Sequence, residues 1–207
     1  MCNYARNNFR PAAMVAALAT ALALLGSAAL AGDVEYQGIK SCKKCHSNVV
    51  KSWEKTPHGL ALDILKPNER ADKKSAAGLD PAKDYTTDAA CLKCHTTGYG
   101  EPGGYAVPDP DDKKSVRQAA NLAHVTCEMC HGPGGAYIEH HEKVMKEKLE
   151  YTHEEMFAAG LWKVEEKTCL TCHNDQSPTH AQAEPWDWEK KKEKGVHEHE
   201  ELKQLKK

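Results

Sequence analysis

The sequence has 207 residues, with 28 basic and 30 acidic side chains and a formal net charge of −2 at neutral pH. This balance, without a basic patch interleaved with aromatic side chains, gives no sign of a nucleic-acid-binding protein. Only two phenylalanines occur, and the mean hydropathy is −0.69. Either much of the chain is disordered, or something other than side chains fills the interior.

Residues 1–31 have the pattern of a secretory signal peptide. Arg6 and Arg10 precede the apolar run AAMVAALATALALLGSAAL, and Ala-Leu-Ala ending at Ala31 is a cleavage site of small residues. The apolar run is shorter than the roughly 20 residues of a membrane-spanning helix. We therefore expect cleavage, export to the periplasm, and a mature chain, 32–207, that is a single domain without stable membrane insertion. Loss of the two arginines gives this mature chain a net charge of −4.

Helices and loops alternate along the mature chain. Mixed charges at i, i+4 spacing in KVMKEKLE and VHEHEELKQLKK favour exposed helices. Segments rich in Gly, Pro and Asp predict loops at 98–112 and 177–188, and EKKKEKG at 189–195 predicts a solvated linker. Helices are expected at 43–56, 60–77, 114–125, 136–159 and 196–206.

The pattern Cys-x-x-Cys-His occurs four times, at 42–46, 91–95, 127–131 and 169–173. Two thiols at this spacing add to the vinyl groups of one haem, and the next imidazole reaches the iron from the same turn of chain. A zinc site needs two Cys pairs closer together than the intervals of 45, 32 and 38 residues seen here. Neither zinc nor a disulfide framework explains a histidine after every pair, and no βαβ pattern favours a thioredoxin-type dithiol.

The sequence therefore predicts four covalently attached haem c groups. Each has two attachment cysteines and one proximal histidine ligand to iron. The attachment residues are Cys42, Cys45, Cys91, Cys94, Cys127, Cys130, Cys169 and Cys172. The proximal ligands are His46, His95, His131 and His173. Trp186 and Trp188 either cover a haem edge or pack ordinarily.

Eight further histidines can supply the ligand on the opposite side of each iron. They are His58, His124, His140, His141, His153, His180, His197 and His199. Methionine is the main alternative ligand, but few remain in the mature chain, so two histidines per iron are expected. On a helix, His140 and His141 would point about 100° apart, and His197 and His199 about 200° apart, so each neighbouring pair gives one ligand to one haem.

Several motifs of this sequence resemble the tetrahaem cytochrome c-554 family of ammonia-oxidising bacteria. They are SW with TPH after the first Cys-x-x-Cys-His, LKP, LDPAKDYTTD, GYGEPGGY, CEMCHGPG and HEH near the end. The resemblance covers about 35–205 and is most specific in the first hundred of those residues. It implies a mainly helical fold with little or no sheet, wrapped around four closely packed haems.

The same resemblance implies the distal ligands. His141 would lie opposite His46, His58 opposite His173, and His197 opposite His131. The second haem, held by His95, would have no protein ligand opposite. A helix ending near Pro57 is compatible with His58 projecting away from its own haem.

Two histidines depart from this scheme. His124 stands three residues before the third motif, where a small residue is expected, and His153 has no assigned partner. Either could fill the open position of the second haem. The second iron, otherwise five-coordinate and reactive, would then be coordinated by two histidines and serve only in electron transfer.

We therefore expect a non-enzymatic electron carrier without catalytic residues. Its partners would be redox proteins: a donor oxidoreductase and an acceptor cytochrome or quinone reductase. By resemblance, electrons would come from hydroxylamine oxidation and leave toward the quinone pool. The alternative is a reductase that acts on a small nitrogen oxide at an open second haem bound by His95, with His124 and His153 as acid–base groups.

Overall fold

The computed structural model describes residues 35–179, 186–194, 196–202 and 204–206. The predicted signal peptide, 1–31, lies outside them. Short helices dominate the described residues, which contain no strand beyond the isolated bridges Thr96–Ala123 and Tyr151–Leu205. The helices are α1 (Ile39–Lys43), α2 (Ser47–Trp53), α3 (Ala71–Ala76), α4 (Ala89–His95), α5 (Lys113–Leu122), α6 (Cys127–His131), α7 (Gly135–Glu147), α8 (His153–Ala158), α9 (Glu166–Leu170) and α10 (Trp188–Lys191). The expectation of a mainly helical fold with little sheet is confirmed.

Side-chain caps fix the start of several helices. Asp88, Asp112 and Asp187 each accept a backbone N–H of the first turn, at the starts of α4, α5 and α10. At α8, Thr152 and Glu155 form a capping box in which each side chain bonds the other's backbone N–H. Such caps satisfy N–H groups that have no partner within the helix. Short helices need them, because isolated helices of this length are marginal.

The apolar core is small and divided. One cluster joins α4 and α5 and the loops around them, and comprises Leu65, Tyr85, Leu92, Tyr105, Ala119 and Leu122. The other lies where α7 packs against α8, and comprises Val144, Tyr151 and Met156. Val50 and Trp53 of α2 are also buried but lie outside these two clusters.

Two predicted long helices are interrupted. Residues 60–77 do not form one helix, because Lys66, which precedes Pro67, is extended (ψ 156°), as proline requires of its predecessor. A 3-10 turn, Asp63–Leu65, precedes this break and α3 follows it. The predicted helix 136–159 ends at Lys148, which is left-handed (φ 55°), and restarts after Thr152.

The predicted helix at 43–56 is also split. α1 ends at Lys43, and α2 starts at Ser47, because His46 (φ −112°, ψ 45°) leaves the helical region. The prediction at 114–125 matches α5 except at its end, which falls at Leu122.

The tail prediction is wrong as well. No helix occurs in the described residues of 196–206. Instead, Tyr151 N–H donates to the carbonyl of Gln204 (3.1 Å), and Lys206 N–H donates to the carbonyl of Tyr151 (2.7 Å). The tail therefore uses its backbone groups on a distant segment and not on itself. None of the helices described here has the length and apolarity needed to span a bilayer.

Candidate multihaem centre

Each Cys-x-x-Cys-His motif lies on or beside a short helix. The second and third lie within α4 and α6, whereas the first and fourth begin in α1 and α9 and continue beyond them. His46 N–H bonds the carbonyl of Cys42 (3.0 Å), and His173 N–H bonds the carbonyl of Cys169 (2.9 Å). One helical turn therefore separates the first cysteine from the histidine, so both side chains project on one side.

Thiols of different motifs meet. The Cys42 side chain is hydrogen-bonded to Cys127, which raises the pKa of Cys42 and lowers that of Cys127. Likewise, the hydrogen bond from Cys94 lowers the pKa of Cys172 to about 6. Motif one therefore adjoins motif three, and motif two adjoins motif four. Because α6 packs against α9, the third and fourth motifs are also neighbours.

The first motif histidine faces a ring from α7. The ring centroids of His46 and His141 lie 5.8 Å apart, with the planes inclined by 16°. His141 is only 8% exposed, and its Nδ1 is buried without a hydrogen-bond partner. A buried ring nitrogen without a partner is costly unless it binds an electrophile. The neighbouring His140 is exposed.

Two other motif histidines also face a distant imidazole. His131 lies 6.2 Å from His197, with the planes inclined by 30°. His58 lies 6.0 Å from His173, with the planes inclined by 76°. Burial, together with neighbouring imidazoles, lowers the pKa of His131 to about 4. Its ring is thus neutral at ordinary pH, as a metal ligand must be.

The spacing of these three pairs fits an iron between the rings. A bond of about 2 Å from metal to imidazole nitrogen on each side, with about 1 Å from nitrogen to ring centroid, requires centroids roughly 6 Å apart. The observed values of 5.8, 6.0 and 6.2 Å match this requirement. The residues therefore fit bound haem at the first, third and fourth motifs.

The second motif has a different surrounding. Among the described residues, no second imidazole faces His95, whose Nδ1 lies 2.6 Å from the carbonyl of Ala61. Burial lowers the pKa of His95, although the Ala61 carbonyl opposes that shift. A carbonyl can only accept, so Nδ1 carries the proton and Nε2 keeps its lone pair, as in a histidine that ligates metal through Nε2.

His124 does not face His95. Its Nδ1 accepts the N–H of Leu62 (3.1 Å), and its Nε2 lies 4.0 Å from the Asp63 carboxylate. Burial lowers its pKa, with Asp63 opposing that shift. In this neutral form the proton sits on Nε2, which has no lone pair left for a metal. The arrangement argues against His124 as the ligand that closes the second haem.

The other unassigned histidines are exposed or lie outside the described residues. His153 is exposed at the start of α8 and stacks on Phe157 (6.1 Å). His199 is exposed and lies edge-on to His197 (5.2 Å). His180 lies outside the described residues. Trp186, by contrast, stacks on His173 (5.0 Å) and donates to Glu166 (3.0 Å), so of the two tryptophans this one covers a motif histidine.

Sequence reasoning missed Glu128, the second residue of CEMCH. Its carboxylate is 3% exposed and accepts three backbone N–H groups, from Gln37 (2.8 Å), Gly38 (2.7 Å) and Gly134 (2.7 Å). It therefore ties the residues before the first motif to α6 and to the loop after it. No pattern in the sequence marked it, since an acidic residue at this position reads as solvent-exposed.

Comparisons with known proteins agree with this centre. A family model described as cytochrome c554 and c-prime matches residues 41–132. Cytochrome c-554 of Nitrosomonas europaea is 41% identical over 120 residues, which cover 58% of this chain and 48%, about half, of the relative. The structure of reduced cytochrome c554 from Nitrosomonas europaea superimposes with a TM-score of 0.70 at 31% identity, covering 84% of this chain and 91% of that one. The chain belongs to the cytochrome c-554 family, whose haem c cofactors its four attachment motifs are built to carry.

Proposed function

We propose that the protein is a periplasmic tetrahaem cytochrome that carries electrons between redox proteins. The observation that carries this proposal is the set of three imidazole pairs, each about 6 Å between centroids and each joining a motif to a distant segment. Haem c supplies an iron that gains and loses one electron. Two fixed imidazoles hold such an iron in either oxidation state with little movement of the ligands. In this proposal His46, His131 and His173 are proximal ligands, and His141, His197 and His58 are their distal partners.

Contacts between the motifs support passage of electrons through the molecule. Cys42 touches Cys127, α6 packs against α9, and Cys172 touches Cys94. The attachment sites thus adjoin in the series one, three, four, two. An electron could enter at one end of this series and leave at the other.

The finer proposal concerns partners. By kinship with cytochrome c-554, the donor would be a hydroxylamine-oxidising oxidoreductase, and the acceptor a membrane cytochrome or quinone reductase. The predicted signal peptide, 1–31, would deliver the chain to the periplasm, where residues 32–207 would form one domain.

A second candidate function is reduction of a small nitrogen oxide at the second haem. The single imidazole of His95, with no second ring opposite it among the described residues, favours an iron with a free coordination position. His124 could supply or accept a proton there, although its Nδ1 is already engaged by Leu62.

Mass spectrometry and electron paramagnetic resonance test the proposed haem content and iron coordination. The mature protein, purified from a host that attaches haem c, should begin near Gly32 and carry four haems. Electron paramagnetic resonance of the oxidised form should show about three low-spin haems and about one high-spin haem. A lower haem content would contradict the tetrahaem carrier, whereas four low-spin signals would contradict only the open position at the second haem.

Stopped-flow mixing tests the proposed donor and acceptor proteins and distinguishes the carrier from the nitrogen oxide reductase. Reduction within milliseconds by a hydroxylamine-oxidising enzyme, followed by oxidation by an acceptor cytochrome, is expected of a carrier. Catalytic consumption of nitric oxide by the reduced protein would favour the reductase. Binding of nitric oxide without turnover would favour the carrier.

A further inference from the structure

One peptide group links two histidines near the second motif. The carbonyl of Ala61 accepts a hydrogen bond from Nδ1–H of His95 (2.6 Å). The N–H of the same peptide, which belongs to Leu62, donates to Nδ1 of His124 (3.1 Å). The two rings are therefore joined through a single polarisable amide.

The proton positions are determined by the partners. A carbonyl only accepts and a backbone N–H only donates, so His95 is protonated on Nδ1 and His124 on Nε2. His124 Nε2, which then carries the proton, lies 4.0 Å from Asp63 Oδ2, while Asp63 Oδ1 pairs with Lys66 (2.5 Å). The Asp63 link is long and half-exposed, so the two bonds at the peptide are the strong ones.

The backbone around His124 is held in place for this contact. His124 is left-handed (φ 69°), a conformation that non-glycine residues seldom adopt. Its carbonyl accepts from Thr97 Oγ1 (2.9 Å), and the next N–H, of Val125, donates to the carbonyl of His58 (3.2 Å). Thr97 lies two residues beyond His95, so the segment that carries His95 also fixes His124.

We propose that His124 is a positioning residue for the second haem, acting on His95 through the Ala61–Leu62 peptide. By accepting the Leu62 N–H it polarises this amide and makes the Ala61 carbonyl a stronger acceptor, because hydrogen bonds in a chain reinforce one another. His95 thereby gains anionic character at Nε2, and a more basic ligand favours ferric over ferrous iron. The inference rests on the proposed role of His95 as an iron ligand.

We call the hydrogen-bonded chain from His124 through the Ala61–Leu62 peptide to His95 the relay. Two substitutions of His124 distinguish this relay from a role of His124 in packing alone. His124→Ala removes the acceptor. His124→Asn places Oδ1 close to where Nδ1 lies and tolerates the left-handed backbone, so it keeps the bond to Leu62. His153→Ala removes an exposed imidazole elsewhere and serves as the matched control.

Resonance Raman spectra of the ferrous protein report the iron–histidine stretch of a five-coordinate haem, and a redox titration reports its midpoint potential. For His124→Ala we expect a lower stretching frequency and a higher midpoint potential at the second haem only. His124→Asn should restore most of both values, and His153→Ala should change neither. An unchanged stretch and potential in His124→Ala, or equal shifts in all four haems, would overturn the proposal.

The proposal can still be tested if the native protein lacks the stretching band or if His124→Ala does not mature. If the native protein shows no such stretching band, the five-coordinate second haem of the proposed function is contradicted, and the midpoint potential then tests the relay alone. If His124→Ala does not mature, His124→Gly removes the same acceptor and accommodates the left-handed backbone (φ 69°). A higher midpoint potential confined to the second haem is expected there, and no change would count against the proposal.

Discussion

Three of the four motif histidines face a second imidazole, whereas His95, in the second motif, is hydrogen-bonded to the Ala61 carbonyl. In the paired sites the second ring comes from a distant segment of the chain. At the second motif no imidazole among the described residues faces His95, whose Nδ1 donates to the Ala61 carbonyl, and His124 has its Nδ1 on Leu62 N–H and its Nε2 near Asp63. The same five-residue motif thus supports two kinds of iron site. The difference lies in what the rest of the fold brings to the opposite side.

The two kinds of site are also scaffolded differently. The first and third motifs are tied together by the buried carboxylate of Glu128 through three backbone N–H groups. The second is held by neutral groups: Thr97 Oγ1 donates to the His124 carbonyl, accepts the Thr126 N–H and contacts Thr126 Oγ1. The buried Glu128 carboxylate, with its three N–H donors, therefore holds the first and third motifs together. The hydroxyl groups of Thr97 and Thr126 hold the segments around the second motif.

The largest expected effect comes from converting a paired site into a single one. His58→Ala removes the ring opposite His173, so the fourth iron should become accessible to external ligands. Carbon monoxide binding to the reduced protein should rise from about one to about two haems per molecule. Optical titration measures this stoichiometry, with His153→Ala as the control that leaves it unchanged. An unchanged stoichiometry in His58→Ala would remove His58 from the ligand set.

A subtler change keeps a ligand but alters its identity. His141→Met should turn one pair of imidazoles into a histidine–methionine pair and raise one midpoint potential, by on the order of 0.1 V within the roughly 0.8 V range that axial ligands span. His140→Met, on the exposed neighbour, should leave every potential unchanged. Spectroelectrochemical titration compares the two. The reverse result would shift the distal ligand by one residue.

Breaking the charged scaffold should loosen the paired region. Glu128→Ala leaves three backbone donors without their partner, and each buried unsatisfied donor costs about 1–3 kcal/mol. We expect a loss of roughly 3 kcal/mol or more in the free energy of unfolding. Guanidinium unfolding followed by circular dichroism, at matched haem content, measures it. Glu139→Ala, at an exposed position, is the control, and equal stabilities of the two variants would contradict the role of Glu128.

Breaking the neutral scaffold should have a smaller effect, confined to the second site. Thr97→Val removes an acceptor for Thr126 N–H (3.0 Å) and a donor to the His124 carbonyl (2.9 Å). We expect a loss of about 2 kcal/mol in stability, with a broadened high-spin signal and unchanged low-spin signals. Thr87→Val, at an exposed threonine, is the control. Broadening of the low-spin signals as well would show that the two regions are not scaffolded separately.

The outcome at individual residues shows where sequence reasoning stops. His141 and His140 were equivalent in sequence, and so were His197 and His199. α7 presents His141 inward because its apolar Val144 packs with Tyr151 and Met156 of the neighbouring segment. The tail was expected to be helical from its charge spacing, but its backbone bonds Tyr151. Local charge patterns carry no information about such distant partners.

The sequence by itself determined the cofactor class, because two thiols and an imidazole within five residues are fixed by covalent geometry. The mainly helical class was predicted from the resemblance of its motifs to the cytochrome c-554 family. Only the tertiary structure decided which imidazoles meet, that Glu128 is buried, and that His124 points at a peptide and not at the second motif. Those outcomes depend on contacts between segments up to 115 residues apart, from His58 to His173, and chain reversals and packing determine them, not local propensity.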